Sequence, residues 1–150
     1  MDFRGLKLYN NVMSINDEDE IEVDIAEALG ASDKASPQML SIYIPNKDKN
    51  GKKITNQKEL VKEAGKLFAE IGGGVTIMPA VDGGWLNSDT GKIIWEKPIV
   101  VYSYVLPDKF EEKLPELRKF LHKMGRETNQ GEIGVEFSGV FYRITEFDEV

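Results

Sequence analysis

The chain has 150 residues, 41% hydrophobic and 30% charged, the size and balance of one globular domain with its own core. It contains no cysteine and one histidine, which excludes disulfides, thiolate metal sites, cysteine nucleophiles and metal sites built from several imidazoles. The net charge of −7 is uneven: residues 1–38 carry 3 bases and 9 acids, residues 39–66 carry 7 and 3, and residues 67–150 carry 9 and 14.

That acidic balance opposes a nucleic-acid partner. No window approaches the ~18 apolar residues of a membrane span, and Met1 is not followed by a signal-peptide pattern, so a cytoplasmic protein is expected.

Residues 1–38 read as an acidic accessory segment. Leu6, Leu8 and Val12 suit a short strand. Asp17-Glu18-Asp19-Glu20 opens a helix in which Ile21, Ile25, Ala28 and Leu29 recur at helical spacing, and acids at a helix start complement its dipole. Gly30 ends that helix and residues 31–37 form a linker.

From Met39 the pattern sharpens into an α+β domain over residues 39–150. Leu40 to Ile44 alternates as a half-buried strand and stops at Pro45. Asn50-Gly51 marks a tight turn. Asn56 with Glu59 forms a capping-box start for a helix whose stripe is Leu60, Ala64, Leu67, Phe68 and Ile71. The triple glycine 72–74 follows a helix and precedes a strand, the reverse of a phosphate loop, so it reads as a helix cap.

Val75 to Met78 is the second strand, and the glycine-rich stretch 82–91 reads as a loop. A third strand runs from Ile93, is interrupted by Pro98 as a bulge or edge, and continues to Val105. Asp108 and Glu111 start the second main helix, with the stripe Phe110, Leu114, Leu117, Leu121 and Met124, a kink or restart at Pro115 and a left-handed cap at Gly125. Ile133–Phe137 and Val140–Ile144 flank Ser138-Gly139, a hairpin signal. Two helices separated by strand pairs predict a ferredoxin-like βαββαβ core, with both helices on one face of an antiparallel sheet.

Two regions carry candidate chemistry. The run from His122 to Glu132 is the densest in functional side chains, set against a plain solvated turn. There Arg126 suits a carboxylate or phosphate, Glu127 or His122 a general base, and Asn129, Gln130 and Glu132 further ligand contacts. The second region is the sheet face away from the helices. If Ile42, Val101 and Val105 point inward, then Tyr43, Tyr102 and Tyr104 share the other face, with Trp85 and Glu96 at its rim. That face is expected to be covered, either by residues 1–38 or by a second copy of the chain. Neither a metal-ligand set nor a cofactor motif is present: the half-match to a calcium loop at Asn46, Asp48 and Asn50 ends in Gln57 where a bidentate Glu belongs.

Gly73-Gly74-Val75-Thr76, Gly84-Trp85, Glu96, Tyr102-Ser103-Tyr104 and the His122-to-Glu132 run together resemble a family of small bacterial and phage proteins. The resemblance spans about Met39 to Phe147, leaves out residues 1–38, and implies a ferredoxin-like fold and no established activity. Three functions are expected to compete. The first is a non-catalytic binding module without a cofactor that holds a small anionic, nucleotide-like ligand or a protein partner as a homodimer in a regulatory or defence setting. The second is a phosphoesterase or nucleotide-acting enzyme using His122, Arg126 and Glu127. The third is an acidic inhibitor docking through residues 17–24.

Overall fold

The computed structural model describes residues 6–9, 12–15, 23–33 and 38–150. The chain divides into two compact units, Met1–Ala35 and Ser36–Val150. In the first unit, β1 (Leu6–Tyr9) pairs antiparallel with β2 (Val12–Ile15), so the expected single strand is a two-stranded hairpin. Helix α1 is short, Ile25–Leu29, capped by the Asp24 carboxylate, which accepts the Glu27 amide at 3.1 Å, and closed by Gly30 in the left-handed conformation. The acidic run Asp17–Glu22 lies outside the described residues.

The second unit contains β3 (Met39–Ile44), α2 (Gln57–Gly72), β4 (Thr76–Met78), β5 (Gly83–Asn87), β6 (Lys92–Glu96), β7 (Ile99–Tyr104), α3 (Pro107–Glu127), β8 (Ile133–Phe137) and β9 (Val140–Ile144). Its main sheet has the order β4-β7-β3-β8-β9, antiparallel throughout. Without the edge strand β9 this is the ferredoxin-like order, with the first and third core strands, β3 and β7, side by side in the centre. The α+β, ferredoxin-like expectation therefore holds.

Strand alternation sends Leu40, Ile42, Ile44, Val101, Ile133 and Val135 to the helices, where they meet Leu60, Phe68, Ile71, Leu121 and Met124 in one core. Phe110 of α3 stacks on Phe137 of β8, with ring centroids 4.7 Å apart. The C-terminal end of α2 approaches the sheet closely. A Cβ on Gly72 would lie 1.8 Å from Ser103 Oγ and 2.5 Å from the Tyr104 carbonyl oxygen. Gly73, at φ 80°, then supplies the left-handed cap expected of the triple glycine.

Several local expectations change. Residues 93–105 are two strands: Pro98 separates β6, which pairs with β5, from β7 in the main sheet. The stretch 82–91, expected to be a loop, contains β5 because its backbone is paired by β6 and the Trp95 ring lies over Gly84. Asn56 makes no side-chain cap; Gln57 instead donates to the carbonyls of Ile44 (3.2 Å) and Lys97 (3.1 Å), fixing the start of α2 to the sheet and to the Pro98 bend. Helix α3 runs unbroken through Pro115, and Gly125 is an interior helical residue covered by the Phe147 ring, with Thr128 as the cap. No helix among the described residues is long and apolar enough to cross a membrane.

Replacing Gly72 by Ala should cost about 1–3 kcal/mol, because rigid backbone and Ser103 occupy the space its methyl needs. Urea unfolding of the Gly72→Ala variant measures this, and an unchanged midpoint would contradict the close approach of α2 to β7.

Candidate cavity on the open sheet face

The face of the sheet turned away from the helices carries Tyr43 on β3, Tyr102 and Tyr104 on β7, Glu136 on β8 and Phe141 and Arg143 on β9. The register alternation places them there: Ser41 faces Tyr102, Glu136 faces Phe141, and Gly134 faces Arg143. Tyr43 and Tyr104 keep 37% and 54% of their surface exposed. The β5–β6 hairpin stands beside one end of this face. Between them lies a cavity of about 540 Å³, walled by Tyr43, Glu136, Phe141 and Arg143 on the sheet side, by Trp85 and Glu96 on the hairpin, and by Gln130 and Glu132 where α3 leads into β8. Gly134 lets the Phe141 ring lie flat on the sheet there, since a Cβ would meet that ring at 2.5 Å.

The cavity is acidic. Asp48, Asp82, Glu96, Glu132 and Glu136 line it, against Lys49 and Arg143. The Asp48 carboxylate accepts the amides of Asn50 (2.8 Å) and Lys52 (2.9 Å), and these bonds, with the Lys52 amide foremost, hold its carboxyl below the usual range. Asp82 is paired with Lys97 at 2.7 Å, which lowers it likewise. Glu132 is bonded to Arg143. The Tyr43 hydroxyl donates to Glu136 Oε1 at 2.5 Å. That bond and partial burial push the phenol up to about 12. Burial likewise pushes the Glu96 carboxyl up, against a lowering pull from the Lys47 ammonium.

The structure therefore gathers part of each sequence-derived group. Tyr43, Trp85, Glu96, Gln130 and Glu132 line the cavity; Tyr102 and Tyr104 do not, and pack edge-to-face with each other at 6.5 Å. Asn129 holds the wall from behind: its carbonyl accepts the Lys49 amide at 3.0 Å. The Gln130 amide donates to the Lys47 carbonyl at 2.7 Å, tying the 45–53 loop to the α3–β8 turn. Lys49, Asp82, Glu136, Phe141 and Arg143 were not singled out as site residues by sequence, and Asp48 entered only as part of the rejected calcium loop. Strand register brings Glu136, Phe141 and Arg143 here, and the loops before α2 and β5 bring Asp48, Lys49 and Asp82.

His122 and Arg126, expected at a site, lie outside the lining of this cavity and bond the C-terminal segment. His122 is buried, its Nδ1 accepts the Asp148 amide at 2.7 Å, and its ring meets Phe147 edge-on at 6.1 Å. Arg118 grips the Asp148 carboxylate through two bonds of 2.7 and 2.9 Å, and Arg126 donates to the Asp148 carbonyl. These residues clamp the C-terminal segment onto α3. Glu127, also outside the cavity lining, is an exposed residue at the end of the same helix.

No protein-family model matches the sequence, and no curated protein matches it. Two solved structures resemble this chain. One, a phage SAM lyase in complex with S-methyl-5′-thioadenosine, is 15% identical with a TM-score of 0.52, over 73% of this chain and 89% of that one. A phage SAM lyase in the apo state is 13% identical with a TM-score of 0.49, over 76% and 94%. At 15% identity the first of these supports the fold alone.

A phenol whose folded pKa lies above its unfolded value near 10 contributes stability that is complete below pH about 10 and is lost as pH climbs toward about 12. Tyr43 should ionise late in a tyrosinate absorbance titration, and Tyr43→Phe should remove that late phase. On the opposite face, His122→Ala should destabilise by about 1–3 kcal/mol, by removing a buried ring and the acceptor of the Asp148 amide, and speed hydrogen exchange at Asp148. Exchange unchanged at Asp148 would contradict the clamp.

Proposed function

We propose that the cavity binds S-adenosylmethionine, or a sulfonium nucleoside of that type, and that the protein cleaves it at sulfur as a lyase. The observation that carries this reading is the composition of the cavity: three aromatic rings, Tyr43, Trp85 and Phe141, set among carboxylates that outnumber cations five to two. Aromatic faces and carboxylates attract a sulfonium, and the same rings offer stacking surfaces to a purine. The volume of about 540 Å³ is that of a nucleoside-sized site. The fold shared with a phage SAM lyase, solved with S-methyl-5′-thioadenosine, supports the same ligand class.

The lining contains no serine or cysteine, and the Tyr43 phenol is held protonated. A sulfonium requires no protein nucleophile. When the bond between sulfur and the amino-acid arm breaks, its electron pair passes to sulfur and a neutral thioether leaves. The other fragment closes on its own carboxylate to a lactone, or loses a β-proton to a base such as Glu96 or Glu136 and becomes an alkene. Both routes balance without water or cofactor. The residues of the chain would hold the cation, exclude solvent and set the conformation of the arm. Depletion of a methyl donor would fit a regulatory or defence role in a bacterium or phage.

An anionic ligand is served less well, because Arg143 is already bonded to Glu132 and leaves Lys49 as the other cation of the lining. A phosphoesterase centred on His122 and Arg126 lacks geometric support, since both hold the C-terminal segment. A non-catalytic binding module in the same cavity is the second reading, favoured by a lining without serine, cysteine or histidine.

Incubation with S-adenosylmethionine followed by mass spectrometry tests the proposal. The expected result is S-methyl-5′-thioadenosine together with a lactone or an alkene, which identifies the route. Tight binding without turnover by calorimetry would select the non-catalytic module. Binding of neither S-adenosylmethionine nor S-methyl-5′-thioadenosine would overturn both.

A further inference from the structure

We infer that Glu96 is the specificity-determining residue that reads positive charge on the ligand, an inference resting on the sulfonium reading above. Four of the five cavity carboxylates already have partners. Asp48 is held by loop amides, Asp82 by Lys97, and Glu132 by Arg143. Glu136 accepts from Tyr43 through one oxygen. Glu96 has neither a hydrogen-bond nor an ion-pair partner among the described residues. Lys47, the cation nearest in effect, donates instead to the Trp95 carbonyl at 2.8 Å.

The hairpin register explains why Glu96 stays open to the cavity. Its cross-strand partner is Gly83, which has no side chain to shield the carboxylate. Trp85, two residues beyond Gly83 on the same strand face, is its diagonal neighbour. A half-buried carboxylate beside an indole ring is the arrangement that surrounds a poorly hydrated cation, one by charge and the other by its π face. The partial burial that raises the Glu96 carboxyl also means that a bound cation would restore stabilisation the carboxylate has lost from water.

The assignment separates charge from shape, and two probes of one skeleton do the same. A tertiary-amine analogue of S-adenosylmethionine is cationic at neutral pH, whereas S-adenosylhomocysteine is uncharged at sulfur. Neither can be cleaved as a sulfonium, so both report binding alone by calorimetry. The wild type should prefer the cationic probe. Glu96→Gln should weaken that probe about tenfold or more, the loss expected when one member of a partly buried charge pair is neutralised, and leave S-adenosylhomocysteine unchanged. Glu96→Asp should keep the preference.

Equal weakening of both probes, or no weakening of either, would overturn the role of Glu96 while leaving the sulfonium site standing. A wild type that binds neither probe would overturn the sulfonium reading and this inference with it. Thermal melts of both variants confirm that folded protein is being compared.

Discussion

The six-residue antiparallel pairing of β3 with β7 is the constraint on which the second unit depends. Because side chains alternate along both strands, one register decision sorts two sets at once. Leu40, Ile42, Ile44 and Val101 go to the helices and are almost fully excluded from water, while Tyr43, Tyr102 and Tyr104 go to the opposite face. A slip of one residue in β3 would bury Tyr43 against Phe68 and bring the apolar row to the surface. The same register thus creates the core and turns the tyrosines to the other face. The floor of the cavity is as rigid as the centre of the sheet that supports it.

The fold was legible where local and long-range signals agree. Alternation in residues 40–44 and 133–137, the apolar stripes of α2 and α3, and the Ser138-Gly139 turn, with φ of 52° and 84°, each follow from residues close in sequence. Misreadings fall where a distant residue overrides local chemistry. Gly84 belongs to a strand because β6 pairs with it and Trp95 covers it. Gly125 stays inside α3 because Phe147, twenty-two positions away, packs on the space a side chain would fill. No pattern near either glycine carries that information.

The candidate site was half legible for a related reason. The run from His122 to Glu132 is continuous in sequence but divided in space by the end of α3. Residues up to Glu127 still belong to the helix, where His122 and Arg126 turn to the C-terminal segment and Lys123 to Glu63 of α2. After Thr128 closes the helix and Asn129 takes a positive φ of 50°, the chain reverses into β8, and Gln130 and Glu132 reach the cavity. Density of polar residues in sequence therefore overstated one site and concealed two functions. One is a clamp for residues 147 and 148; the other is part of a wall. The tyrosine group divided similarly, with Tyr43 alone lying at the end where the hairpin stands.

The hairpin converts an open face into a site. A bare ferredoxin-like sheet offers a flat, solvated surface, on which a carboxylate interacts with a ligand through water of high dielectric. Adding β5 and β6 between the second and third core strands places Trp85 and Glu96 opposite Tyr43 and Glu136, and the enclosed space strengthens every charge interaction within it. Gln57 and Asn46 secure the base of this insertion: Gln57 bonds the Lys97 carbonyl, and the Asn46 carbonyl oxygen of the side chain accepts the Lys97 amide at 2.8 Å. Pro98 is buried at the same point. The junction is thus tied to both β3 and α2, so the hairpin wall is positioned by the core instead of by the ligand. Such a wall can hold a half-buried carboxylate without a partner, because the cost of its desolvation is met by the stability of the sheet.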